Sequence, residues 1–256
     1  MKHSFLDRYS DRDSLLHKLD PRTKIVTTIA FILAVALTPP PSWQAFALYF
    51  VIVAIAILIS KIPPLYVLKR SLVIVPFVLL IGIFIPFLKP GDASGSYNVW
   101  IWNVSHSGLM VLWGIAIKSW LSILSLILLS ATTKFAELLK GLEQLRMPKL
   151  MIMILSFMYR YLFVMVDEVS RMKQARDSRN FGGKRTWQLK TIGNMIGTLF
   201  IRSYERGERV YGAMVARGFE GQIRTLSRLQ FRTADLCFAA AFVLCLSLVG
   251  ITFLFM

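Results

Sequence analysis

Apolar residues gather along this chain in long runs. Five of them, Arg22 to Thr38, Trp43 to Ser60, Ser71 to Leu88, Gly108 to Ala131 and Ala234 to Met256, approach or exceed the ~17–25 residues a helix needs to cross the hydrocarbon of a bilayer. The first has an unbroken apolar stretch only from Ile25 to Leu37, with Thr27 and Thr28 inside it. Its ends are nonetheless well marked. Asp20-Pro21 supplies a cap followed by proline at the first helical position, and Pro39-Pro40-Pro41 cannot continue a helix.

Between the fourth and fifth runs the pattern changes. Met151 to Val166 is apolar, but a crossing there would leave fourteen basic residues from Arg171 to Arg232 on the outer side and set Arg160 in the bilayer centre, against the positive-inside rule and at the cost of an intramembrane charge. A single helix from Pro148 to about Phe181, about 50 Å long by its rise per residue, is expected instead, its first half in the interface or under the spans and its second half in water. Gly182-Gly183-Lys184 breaks it. A second helix is expected from about Thr186 to Arg217-Gly218, with Ile192, Met195, Ile196, Leu199 and Phe200 at helical spacing, and a shorter one from about Lys134 to Leu145 precedes both. The expected fold is an all-α membrane protein of about five transmembrane helices, with long amphipathic cytoplasmic helices between the fourth and fifth. The parts are 1–131, 132–232 and 233–256.

Composition agrees with a bilayer protein: 55% hydrophobic residues and a mean hydropathy of +0.59, with a formal charge of +16. The charge is not spread evenly. Lys134 to Arg232 holds nineteen of the thirty lysines and arginines, while the turn Pro39 to Ser42 has none and Lys89 to Ser107 has one. The N terminus is therefore expected in the cytoplasm and the C terminus, after five crossings, outside. Met1 to Asp20 lacks the apolar core of a signal peptide. Cys237 and Cys245 sit eight residues apart on the last run, about 12 Å along a helix, too far for a disulfide, and are expected to be packing residues.

The two long helices end alike. Ser178-Arg179-Asn180-Phe181-Gly182-Gly183 and Ala216-Arg217-Gly218-Phe219-Glu220-Gly221 both fit Arg-(Asn/Gly)-Phe-x-Gly, thirty-eight residues apart, each with an arginine eight positions upstream, Arg171 and Arg209. A basic residue and Gly or Asn at one helix terminus is ordinary capping. The repetition at matched offsets points further: an arginine in a last turn, flanked by small residues, projects a planar donor fork, and two such ends suit a partner with two equivalent acidic grooves.

These residues resemble the transmembrane coupling (T) components of energy-coupling-factor ABC transporters, in particular the cobalt-transport CbiQ subgroup. The stretches that carry the resemblance are Leu16 to Lys24, Tyr159 to Phe163 with Asp167-Glu168, Ala175 to Phe181, and Arg202 to Arg206 leading into Ala216 to Phe219. The resemblance implies that Arg179 and Arg217, with Ser178, Asn180, Ala216 and Gly218 as small neighbours, dock two coupling helices into grooves of two ATPase subunits, and that a substrate-binding membrane (S) subunit completes an importer in the inner membrane. It implies ATP on the partner subunits and no cofactor on this chain. Asn180 stands where glycine is common in the family, and Asn tolerates the left-handed conformation. A T component serving nickel, biotin or another vitamin is the alternative, since specificity would reside on the S subunit.

Other chemistry finds little support. Gly182-Gly183-Lys184 is not a phosphate-binding loop, and His3, His17 and His106 are scattered with no ligand-spaced partners, so no metal site is expected here. Asp167 and Glu168 point about 100° apart on a helix and make no dyad; Glu168 with Arg171, and Glu205 with Arg209, stand at ion-pair spacing. A lipid-modifying enzyme would need paired carboxylates facing the membrane. A binding module for nucleic acid or anionic lipid would use a polybasic tail, whereas these charges alternate with acidic and apolar residues, so no nucleic acid is expected. Lys118, with Ser122 and Ser125 on its face, is an intramembrane charge that either meets a partner helix or pairs with a carbonyl inside the bundle. Pro76 and Pro86 bend the third span.

Overall fold

A computed structural model describes residues 10, 12–40, 42–73, 76, 80, 96–99, 102–179, 185–221, 231 and 233–254. Among the described residues, eight helices and a small hairpin follow in order: α1 Pro21–Leu37, α2 Trp43–Ser60, α3 Pro64–Leu72, β1 Ser96–Val99, β2 Trp102–Ser105, α4 His106–Thr132, α5 Phe135–Gln144, α6 Lys149–Ser178, α7 Arg185–Ala216 and α8 Thr233–Leu254. The chain divides into two compact units, one of Lys2–Gly141 with Leu229–Met256 and one of Leu142–Arg228.

The first unit is a helical bundle. The Asp20 carboxylate accepts from the Arg22 backbone N–H at 2.9 Å and Pro21 occupies the first turn, so α1 starts where the cap chemistry places it. It ends at Thr38, whose hydroxyl donates to the Ala34 carbonyl at 2.8 Å and meets the Tyr49 hydroxyl at 3.2 Å. The core is formed by Phe31 and Val35 of α1, Phe46 and Val53 of α2, and Leu121 and Ile127 of α4. Phe31 meets the Tyr49 ring edge-on at 5.6 Å. α3 leans on α4, where the Trp120 indole donates to Ser71 at 3.2 Å. Gly114 of α4 is a close approach, since a Cβ there would lie 3.0 Å from the Pro40 side chain.

Outside this core the helices stay apolar. Leu33, Leu37, Val51, Leu58, Val243 and Leu248 are exposed, a distribution that is costly in water and favourable in lipid. α2, the Met110–Thr132 part of α4, Lys149–Ser178 and Thr233–Gly250 are each long and apolar enough to cross a membrane. Helices of this length and hydropathy, exposed outside a buried core, are those of a multi-pass, all-α membrane protein. The expected third crossing, Ser71 to Leu88 with Pro86, falls largely outside the described residues; α3 ends at Leu72. Cys237 and Cys245 are both free and exposed, so they face the surroundings of the bundle instead of packing inside it.

Candidate functional site

The second unit is built from α6 and α7. Pro148 starts α6 and Lys149–Ser178 runs for thirty residues, α7 for thirty-two, so each spans about 45 Å or more. Six residues, 179–184, separate them. Met153 and Phe157 near the start of α6 share a groove with Met214 and Phe219 at the end of α7, so the helices run antiparallel and the motif-bearing ends, both C-terminal, lie at opposite ends of the pair.

At the α7 end the geometry follows from one glycine. Gly218 takes φ +78°, which a side chain disfavours by about 1–2 kcal/mol. Its N–H donates to the Val215 carbonyl at 2.9 Å while the Phe219 N–H donates to Met214 at 3.1 Å. This is a Schellman closure, and the Met214–Phe219 contact that accompanies it is apolar. Arg217 therefore takes the cap position just past the end of α7, exposed, with no other described residue engaging its guanidinium. Ala216 beside it is small and exposed. Gly218→Ala should fray this last turn and lower helix-end stability by about 1 kcal/mol, with a loss of hydrogen-exchange protection confined to residues around 214–219 as the check.

At the α6 end, Ser178 back-bonds to the Gln174 carbonyl at 2.9 Å, and Arg179 takes the cap position, its N–H donating to Arg176 at 3.1 Å. The Arg179 side chain is also exposed and unengaged among the described residues. Asn180 and Phe181 lie outside the described residues, so the two ends are comparable only up to the arginine. Arg176 pairs with Asp177 at 2.8 Å, which leaves Arg179 as the free fork of that turn.

Between the ends, α6 and α7 share an apolar groove of about 420 Å³ lined by Met153, Phe157, Tyr161, Val210, Met214 and Phe219, among others. Beyond it, Glu168 of α6 accepts from Arg171 at 2.6 Å and also from Arg202 of α7. The two guanidiniums, Arg171 first through its hydrogen bond, hold the Glu168 carboxyl below the usual carboxylate range. Glu168–Arg171 was legible from spacing; Arg202, thirty-four residues away, was not. Glu205–Arg209 forms at 3.7 Å. On α6, Met151, Ile154, Met158, Leu162, Val166 and Val169 are exposed and recur every three or four residues.

Lys118 lies in the first unit. Its Nζ donates to the Ala36 carbonyl at 2.8 Å, and Ser122 donates to the Lys118 carbonyl at 2.8 Å. The Lys118–Ala36 hydrogen bond is exposed and reaches the neighbouring helix α1. A buried cation was not visible in the sequence, where Lys24 counts with the N-terminal charges. Lys24 is in α1 and 5% exposed, and its Nζ donates to the carbonyls of His17 at 3.2 Å and Thr132 at 3.0 Å. The two lysines act reciprocally. Lys24 near the start of α1 holds the last carbonyl of α4, and Lys118 of α4 holds a carbonyl in the last turn of α1, each placing positive charge where a helix terminus is negative. The pair is thereby antiparallel with its register pinned at both ends. Beside Lys24, Asp235 of α8 is 1% exposed and accepts the Asp20 N–H at 2.7 Å. α5 closes over this end, with Gly141 so near α1 that a Cβ would meet Ile25 at 3.0 Å and Pro21 at 3.2 Å. Among the described residues no three of His, Cys, Asp and Glu come together as a metal group.

Comparison with known proteins locates this arrangement. The profile of the family described as cobalt transport protein, CbiQ, matches residues 12–227. The chain is 31% identical over 256 residues to the energy-coupling factor transporter transmembrane protein EcfT of Listeria innocua, covering 93% of each chain. It is 29% identical to the protein of the same name from Ruminiclostridium cellulolyticum, covering 90% of each. An uncharacterized protein of Methanocaldococcus jannaschii is 27% identical over 91% of this chain and 81% of its own.

Proposed function

The chain belongs to the cobalt transport protein family CbiQ, and from that premise we propose that it is the transmembrane coupling component of an energy-coupling-factor importer that takes up Co²⁺. Arg179 and Arg217 dock two ATPase subunits, which bind and hydrolyse ATP. A substrate-binding membrane subunit carries the ion, and this chain links the two. The observation that carries the reading is the pair of exposed arginines at opposite ends of the α6–α7 pair, neither engaged by another described residue. Two separate helix ends present the same donor fork twice, which matches a partner made of two like subunits and is wasteful for a partner with one binding groove.

Several features support the topology that goes with it. Arg160 is exposed midway along α6, where a crossing would put it in hydrocarbon, whereas the exposed apolar stripe of α6 is satisfied by lying in the interface. We place the N terminus and the long helices on the cytoplasmic side and the C terminus outside. Lys24, Lys118 and Asp235 are then structural charges of the bundle.

The relatives named above carry no metal in their names, so the substrate arm of the test is independent of the coupling arm. The complete complex in proteoliposomes should accumulate Co²⁺ only with ATP. Uptake of Ni²⁺ or of biotin without Co²⁺ would overturn the substrate and leave the coupling role, and failure to co-purify any ATPase with this chain would overturn the role itself.

A further inference from the structure

We propose that Glu168 is a positioning residue for coupling: by holding Arg202 of α7 while keeping Arg171 of its own helix, it sets the crossing of α6 on α7 and so the span between Arg179 and Arg217. The proposal rests on the coupling reading above. Around the crossing, the two helices share a groove lined mainly by methionine and aromatic side chains, with Ser203, Arg206 and Gly207 of α7 also lining it; methionine and aromatic side chains of this kind are adaptable and repack readily. The Glu168–Arg202 pair is directional and joins residues thirty-four apart in sequence. As a source of stability it is weak, because Arg171 and Arg202 are 59% and 57% exposed in their side chains, and pairs of that kind contribute little. Weakness suits an element that must let go during a stroke. One carboxylate oxygen serves Arg171 and the other serves Arg202, so when the helices move apart Glu168 keeps a partner on its own helix, and opening leaves no bare carboxylate. The result is a clasp with a low cost of release and a defined closed position.

The test uses the full-length chain with Cys237→Ser and Cys245→Ser, spin-labelled at Lys173→Cys on α6 and Glu208→Cys on α7, both exposed positions, in lipid nanodiscs. One narrow distance distribution is expected for this parent and for Arg171→Gln, a broader one for Glu168→Gln and for Arg202→Gln, and a narrow one again for the exchange Glu168→Arg with Arg202→Glu. In the reconstituted complex, Co²⁺ moved per ATP should fall about three- to five-fold in the two single variants, the most that a solvent-exposed pair supplies, with ATPase subunits still bound. A Glu168→Gln distribution as narrow as the parent's, or an unchanged ratio of ion to ATP, overturns the proposal. Should the parent bind no ATPase, the coupling reading falls, and the distance comparison still decides whether Glu168 sets the crossing.

Discussion

Arg179→Glu combined with Arg217→Glu should abolish recovery of the proposed ATPase subunits with this chain and with it ATP-dependent uptake; each single change should lower recovery about thirty-fold or more. The magnitude comes from what docking does to a guanidinium. In the free chain both side chains are exposed and cost nothing, but in a complex each fork is desolvated against acceptors, and removing one side of such a pair costs about 2–5 kcal/mol. Reversal of the charge adds repulsion. The two arginines lie at opposite ends of the α6–α7 pair, so the single effects should combine without coupling. Lysine at either position should recover only part of the loss, since it keeps the charge without the planar fork. Pull-down of the ATPases followed by uptake in proteoliposomes checks this, and normal transport by the double variant would sink the docking assignment.

Lys24→Met should destabilise the membrane bundle more than any surface change. Methionine keeps the length of the side chain and removes its three donors, leaving the carbonyls of His17 and Thr132 without the ammonium that now reaches both. A buried acceptor stripped of its donor costs about 1–3 kcal/mol. The removed charge also balances Asp20 and Asp235, each at most 5% exposed, and buried carboxylates resist losing their counter-charge. Thermal unfolding in detergent should show a lower midpoint, with α1 and the end of α4 losing hydrogen-exchange protection first. Lys118→Met should do less, because it loses one carbonyl contact, to Ala36. Equal midpoints for Lys24→Met and the parent would show that the cluster is not holding the bundle.

Much of the fold was legible because local chemistry marks helix ends. Asp20-Pro21 starts α1, Pro148 precedes α6, and Gly218 ends α7, within a few residues of the expected positions. The matched arginines were legible for the same reason, since a helix terminus is a local event and its repetition can be counted along a string. Lys118 was visible as an odd charge in an apolar run, but its partner was not, because Ala36 lies eighty-two residues away. Lys24 was hidden by its neighbours: near Arg22 and Asp20 it looks like one more residue of a charged leader.

The sequence by itself determined the bounds of α1, α2, α6 and α7 to within a few residues, the concentration of charge between the fourth and fifth runs and the arginines at the ends of α6 and α7, since each depends on residues within a turn or two of one another; α3 at Pro64–Leu72 and the hairpin were not among the expected elements. Only the tertiary structure decided the reciprocal lysine caps of α1 and α4, the burial of Asp235 against Asp20, and the sharing of Glu168 between Arg171 and Arg202. These join segments 34 to 215 residues apart, and whether a charge is a solvated surface group or a buried connector is set by what the packed chain places beside it.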